Sequence, residues 1–388
     1  MNFRLLSATL LALCSLSACF FEPEVSNTPT AGDHTHKLPQ AKDTAQTAVA
    51  SNPADTLVIA AVGDIMLGTA YPTDATLPPD SARHSFAAIA DELRSADVTM
   101  GNLEGVMSDS VPPAHYKLHQ RSTAYLFRMP PSYRKVLKDA GFDVLSMANN
   151  HVSDFDEAGR KNTMRNLDSA GLNYGGLLAH PTSVFTINGV RYGFCAFAPN
   201  ANVLPLLNLP NAANVIGNLK KQCDIVIVSF HGGGEGVDYE HVPRQMESYI
   251  GEKRGDVYAF AHNAIDAGAD MVFGNGPHVC RAMEVYKGRM IAYSLGNFCT
   301  YRSVSVAGVC GLAPLLKIKV NRKGEFLNGR IIALQQTHAN GLVRDTANKV
   351  IARIKYLTQT DFPESVLNIT DDGSISLMPA PELAEEKQ

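Results

Sequence analysis

The stretch Leu57-Val58-Ile59-Ala60-Ala61-Val62-Gly63-Asp64-Ile65-Met66 sets a continuous apolar run directly against glycine and a carboxylate. Four more segments repeat that grammar. Asp97 to Met100 leads into Gly101-Asn102-Leu103-Glu104-Gly105, and Phe142 to Met147 leads into Asn149-Asn150-His151. Ile225 to Phe230 leads into His231-Gly232-Gly233-Gly234-Glu235, and Ala269 to Phe273 leads into Gly274-Asn275-Gly276-Pro277-His278. Runs that short, rich in Val, Ile, Leu and Met, and closed by Gly or Asn read as strands buried on both faces. The polar clusters then lie on loops at the C-terminal ends of strands. An open α/β sheet binds its ligands in the crevice outside those ends, where distant residues meet.

Helical runs alternate with these strands at Ser85–Ser95, Pro131–Ala140, Glu157–Ala170, Asn211–Leu219 and Val257–Ala267. Gly141, Gly171 and Gly268 follow three of them as stop signals. Ser183 to Ile187, Asn188-Gly189 and Arg191 to Ala196 read as a hairpin with a type I′ turn, and Met283 to Ser294 around Lys287-Gly288 reads as another. Two sheets flanked by helices accommodate this order better than one doubly wound sheet. The body is expected over 56–340. The remainder, 341–388, reads as a peripheral extension with a helix near Ala347–Tyr356, a last strand near Ser374–Leu377 and an acidic tail.

The first residues speak to compartment. Arg4 precedes an apolar stretch, Leu5 to Leu13, too short to span a bilayer, and Leu16-Ser17-Ala18-Cys19 follows. That tetrapeptide resembles a bacterial lipobox, which implies a signal peptide over 1–18, a lipid on Cys19 and an envelope lipoprotein held at the membrane. Phe20 stands where an Asp would mark inner-membrane retention, so the outer membrane is favoured in a Gram-negative host. Residues 19–55 are rich in Pro, Thr and Ala and read as a tether, and His34 and His36 within it as solvated linker. The formal net charge of −4 and the absence of a basic patch argue against nucleic acid as a partner. Of the seven cysteines, Cys14 leaves with the signal and Cys19 takes the lipid. Cys195 and Cys223 fall in strand-like runs and suit core packing, Cys280 completes the set, and Cys299 with Cys310 offers one candidate bridge.

Each cluster alone has an ordinary structural role: Asp64 as a turn aspartate, His231 and His278 as satisfied buried histidines. Asp64, Glu104, the Asn149–Asn150 pair and the two histidines at successive strand ends make one shared centre more economical. Carboxylate and imidazole together suit Mn, Fe or Zn better than calcium, and an oxygen-rich site also takes Mg. His151 has the chemistry of a proton donor to a leaving oxygen, and Glu235 is a carboxylate available beside His231. No nucleophile elbow or phosphate-binding loop is present, which removes serine-hydrolase and nucleotide-driven ligase readings.

The segments GDIM, GNLEG, ANNH, FHGGGE, GNGPHV and Tyr293-Ser294-Leu295-Gly296-Asn297-Phe298, in that order, resemble the CapA/PgsA family of capsule and poly-γ-glutamate biosynthesis proteins. That family is similar to calcineurin-like metallophosphoesterases. The resemblance implies a four-layer α/β/β/α sandwich, metallophosphoesterase-like, with the site between the sheet ends. It implies metal-binding positions at Asp64, Glu104, Asn150, His231 and His278, the acid/base position at His151, and the acidic residue of the glycine segment at Glu235. Two departures stand out: Met66 replaces the histidine of a DxH motif, and Asn275 the first histidine of a GHxPH-like run.

The resemblance implies a lipid-anchored extracytoplasmic protein acting in capsule or poly-γ-glutamate synthesis or export through a divalent-metal site, with two alternatives. One is a metal-dependent hydrolase of phosphoester or amide bonds. The other is an accessory lipoprotein that binds an anionic polymer during synthesis or export, with a membrane polymer-synthase complex as partner.

Overall fold

The computed structural model describes residues 55–118, 125–302, 304–337 and 341–378. The expectations for the signal segment, Cys19 and the tether lie outside the described residues. No helix among the described residues is long and apolar enough to cross a membrane.

Two sheets carry the molecule. In the ten-stranded sheet, Thr56–Met66 runs parallel to Val98–Leu103, which is followed by parallel Val144–Ser146 and Asn173–Gly175. On its other side the antiparallel strands Leu312–Asn321 and Phe326–Thr337 extend the sheet. In the seven-stranded sheet, Ile225–His231 lies between Val190–Ala198 and Met271–Asn275, all parallel. The hairpin of Thr182–Ile187 with Val190–Ala198 forms across Asn188-Gly189, as its turn chemistry predicts.

Side-chain alternation along Ile225–His231 shows why its sequence is apolar throughout. Ile225 and Ile227 enter the core shared with the first sheet, which includes Leu145, Leu315 and Leu316. Val226, Val228 and Phe230 enter a second core with Ile216, Leu219, Phe260 and Ala264, carried by the helices Leu209–Lys220 and Val257–Asp266. Each such side chain contributes about 1.5–3 kcal/mol when fully buried, so both faces of the strand favour this placement. Helices Tyr133–Ala140 and Asp156–Ala170 bury Leu137 and Leu167 in the first core. The layers therefore stack as helix, sheet, sheet, helix, as expected.

Helix limits follow local chemistry. Asn208 Oδ1 accepts the Asn211 N–H and Asp256 Oδ1 the Ala259 N–H, each starting a helix. Gly141 ends another at φ 104°. The helix expected over Ser85–Ser95 is shorter and forms only at Ala90–Arg94. Before it the chain is held in successive turns, with Ala87 N–H donating to His84 O and Ile89 N–H to Phe86 O.

Two further expectations are corrected. The chain beyond residue 341 is woven into the body: Gly341–Arg344 and Ser374–Leu377 pair with Phe326–Thr337, and the helix Lys349–Asp361 buries Val350, Ile354 and Leu357. Cys299 and Cys310 are free thiols, as are Cys195, Cys223 and Cys280, and all five are buried. Burial pushes the Cys299 thiol up to about 12, which keeps it protonated and inert.

Candidate metal centre

Asp64 lies within the strand Thr56–Met66 at the point where its register shifts, and its own N–H donates to Gly296 O at 2.9 Å. The preceding Gly63 permits that approach, since a Cβ there would meet Gly296 O at 1.8 Å. Asp64 is fully buried. Its Oδ1 accepts from Asn102 Nδ2 at 2.8 Å, and its Oδ2 lies 3.0 Å from His278 Nδ1. His278 Nδ1 also meets Asn297 Oδ1 at 3.1 Å, and its backbone is held at φ 58°.

Glu104 and His231 complete a buried group. One ligand atom each from Asp64, Glu104 and His231 lies within 4.8 Å of the others. His231 Nε2 and His278 Nε2 lie 3.4 and 3.7 Å from Glu104 Oε1. Glu104 Oε1, both ring nitrogens of His231 and Asn150 Oδ1 are buried with no hydrogen-bond partner. Such orphans are rare in a folded interior, and this donor set fits a divalent cation.

Burial, then the neighbouring Glu104 charge, raises the Asp64 carboxyl above its usual range. Burial and then Arg254 push His231 down to about 3, so its imidazole is neutral and one ring nitrogen offers a lone pair for ligation. His278 goes the other way. Burial pulls it down, but the Glu104 charge and the Asp64 hydrogen bond prevail and hold it up at about 10.

The structure brings Asp64, Glu104, His231 and His278 together. Asn150 carries a free buried carbonyl, and its neighbour Asn149 joins the centre, donating from Nδ2 to Asn102 Oδ1 at 3.1 Å and to Leu103 O at 2.9 Å. Asn149 Oδ1 accepts the N–H of His151. His151 Nδ1 lies 2.8 Å from Asp154 Oδ2, and its ring stacks on Phe127 at 4.1 Å. Glu235 is held by Arg254, Oε1 to Nη1 at 2.8 Å. Met66 is buried in the core. Asn275 points an amide nitrogen at Ser229 Oγ, 3.3 Å away.

Sequence reasoning did not single out Asn297, Asp154 or Arg254. Asn297 is the polar residue before Phe298 in the YSLGNF segment, and its place in that quoted run was the signal that could have found it. Asp154 stands three residues past His151, the spacing of one tight turn. Arg254 carried no signal, because its partner lies across a loop.

The layers and the buried carboxylate–imidazole group define a two-sheet α/β protein with a candidate divalent-metal centre at its strand ends. The chain belongs to the bacterial capsule synthesis protein PGA_cap family, whose pattern it matches over residues 58–302. It is 32% identical over 266 residues to the PGA biosynthesis protein CapA of Bacillus subtilis (strain 168), covering 63% of each chain. It is 31% identical over 271 residues to the capsule biosynthesis protein CapA of Bacillus anthracis, covering 62% of this chain and 59% of that one. A probable polyglutamine synthesis accessory protein of Mycobacterium tuberculosis is 29% identical over 239 residues, 53% of this chain and 56% of that one. The match thus spans less than two thirds of these relatives' lengths. Among solved structures, a hypothetical protein from Thermus thermophilus has TM-score 0.45 at 16% identity, covering 72% of this chain and 100% of that one. A 5'-nucleotidase precursor from the same organism has TM-score 0.38 at 15% identity, covering 79% of this chain and 59% of that one.

Proposed function

We propose that this protein is a lipid-anchored envelope protein acting in the synthesis or export of capsule polymer or poly-γ-glutamate, through a divalent cation held by Asp64, Glu104 and His231. The observation that carries the reading is the convergence of Glu104 Oε1 and His231 Nε2, both buried and unpartnered, beside Asp64. A cation bound there would polarise a carbonyl or phosphoryl oxygen and acidify a bound water. Asp64 and Glu104 supply its charge balance. His278, hydrogen-bonded to Asp64, is the next ligand or a proton holder at the same carboxylates. His151, with Nδ1 committed to Asp154, keeps Nε2 as the nitrogen that can exchange a proton with a leaving group.

A second reading, polymer binding without turnover, is favoured by Met66 and Asn275. One packs in the core and the other bonds inward to Ser229, so neither supplies the nitrogen of a second metal site.

Metal analysis of the purified full chain, with assays on phosphoester and γ-glutamyl substrates, tests both. Bound metal that falls in Asp64→Ala is the expected result. No metal after Mn or Zn supplementation would sink the centre, and metal without turnover would favour the accessory role. The lipid anchor is tested separately, by loss of palmitate labelling in Cys19→Ala.

A further inference from the structure

The loop that follows His231 is backed by a hairpin of Glu247–Tyr249 with Glu252–Gly255. Arg254 O accepts the Gly233 N–H at 2.9 Å, and Glu247 Oε2 accepts the Gly234 N–H at 3.0 Å. The second strand of the hairpin reaches a cleft beside the centre, where Glu252 and Lys253 share the wall with Leu207 and Tyr116. Tyr249 pairs with Glu252, so the turn between them has two residues, Ile250 and Gly251, at φ 47° and 77°.

Positive φ at both turn positions suits Asn-Gly. The chain uses Asn188-Gly189 in one hairpin and Lys287-Gly288 in another, whereas here it places isoleucine, the only β-branched residue at positive φ among the described residues. A branched Cβ crowds the backbone there, so this is the least suited class of side chain for the position. Packing does not account for it either. Ile250 is 84% exposed, the most exposed large hydrophobic among the described residues. Val237 and Met246 on the same excursion are also exposed, and exposed Leu207 adjoins the hairpin base, its Cδ2 3.7 Å from where a Gly255 Cβ would stand. An apolar side chain held out in a strained turn points to a surface that covers it.

We infer that Ile250 is a membrane-contacting tip, which enters the apolar edge of a lipid bilayer and turns the metal centre toward it. The inference rests on the lipid-anchored reading above and adds a second contact to it. Tyr239 and Tyr249 stand behind the tip edge to face, 5.6 Å apart, and tyrosine is the residue type that settles at headgroup level. The turn itself is uncharged, and Glu252 and Lys253 after it have opposite signs, so headgroup charge contributes little. Reach permits the contact. Residues 19–54 can extend about 125 Å at most, while Thr56–Met66 is about 36 Å long, so an anchor joined to the start of that strand leaves its far end free to meet the same bilayer. The anchor also holds the tip at high effective concentration, so a weak affinity suffices.

The chain contains no tryptophan, so Ile250→Trp supplies a single emitter. The full chain is placed on vesicles of phosphatidylethanolamine and phosphatidylglycerol, with and without bromine on the acyl chains, beside Val184→Trp, an exposed position on Thr182–Ile187. Emission from Ile250→Trp should shift to the blue and be quenched by bromine, as for a side chain roughly 5–10 Å into the headgroup–acyl boundary, while Val184→Trp stays unquenched. In the full chain carrying Cys19→Ala, Ile250→Asn should weaken vesicle partition about tenfold, the effect of one apolar side chain left in water. Its melting temperature should hold or rise, because Asn suits the turn. A purely structural Ile250 would give the reverse, a lower melting temperature with unchanged partition. That result, a solvent-like Ile250→Trp emission, equal quenching at both positions, or a blue shift without bromine quenching, which marks a protein partner or a second copy, would each overturn the proposal. The anchor fails separately: a chain that takes no palmitate yet shows bromine quenching in Ile250→Trp leaves the tip standing. Palmitate labelling without quenching would leave the anchor and remove the tip.

Discussion

His231 Nε2 stands 3.4 Å from Glu104 Oε1, and neither atom has a hydrogen-bond partner. The separation is too long for a well-formed hydrogen bond. The two atoms would instead serve as ligands of one divalent ion. Chelator should therefore lower the melting temperature, and cation at about 100 times its Kd should restore about 2.7 kcal/mol. Glu104→Gln should weaken metal binding, and in the metal-free protein it should lower the alkaline midpoint set by His278, whose proton the Glu104 charge holds. Thermal melts with and without cation, and across pH without it, check both. A variant that binds metal as well as wild type would refute the pairing.

The two histidines set opposite limbs of the pH profile of the metal-free protein. His278, held up at about 10, binds its proton more tightly folded than unfolded. Its contribution is complete below about 6.5 and is lost as pH rises through about 10. His231, pushed down to about 3, resists protonation when folded, so its share is complete above about 6.5 and is lost as pH falls toward about 3. Urea unfolding across pH should show His278→Asn flattening the alkaline limb and His231→Asn the acid limb. A cation at Asp64 and Glu104 competes with the His278 proton. Calorimetry in two buffers near pH 8 should thus find about one proton released per ion in wild type and none in His278→Asn.

Arg281 is fully buried and bonds Glu247 through both terminal nitrogens, at 2.8 and 2.7 Å. Glu247 Oε2 also accepts the Gly234 N–H, and Gly233 has no room for a side chain, since its Cβ would lie 2.8 Å from the Arg281 guanidinium. The ion pair therefore clamps the loop that follows His231. Arg281→Met should cost about 3–5 kcal/mol by stranding a buried carboxylate, and Arg281→Met with Glu247→Leu should recover part of it. Urea denaturation gives both values. An additive double variant would show that the pair is not coupled.

The parts legible in the sequence are those written locally. Leu57–Met66 and Ile225–His231 declare doubly buried strands because both faces need apolar side chains, and the clusters after them sit where such strands end. Partners separated by long stretches of chain left no local trace: Arg254 on Glu235 and Arg281 on Glu247 are set by tertiary packing. The segment after residue 341 looks peripheral because its strands are short, and only sheet pairing with Phe326–Thr337 reveals its place.

Asp154 decides which nitrogen of His151 is free. Its Oδ2 lies 2.8 Å from His151 Nδ1 and accepts the Phe127 N–H at 2.8 Å, while Lys117 Nζ stands 3.0 Å from Oδ1 as a charge contact without hydrogen-bond alignment. As a carboxylate Asp154 can only accept, so the hydrogen in this contact is carried by His151 Nδ1, and Nε2 is the ring nitrogen outside the contact. Nitrogen NMR should find His151 in the Nδ1–H tautomer, and Asp154→Asn, whose amide can donate, should shift the ring toward Nε2–H. If the protein turns over a phosphoester or γ-glutamyl substrate, Asp154→Asn should lower kcat about 100-fold with little change in KM, the effect of losing one positioned acid–base group. Lys117→Met removes the nearby charge and leaves the carboxylate, so it should keep the tautomer and most of the rate. A tautomer unchanged in Asp154→Asn would show that something other than Asp154 orients the ring.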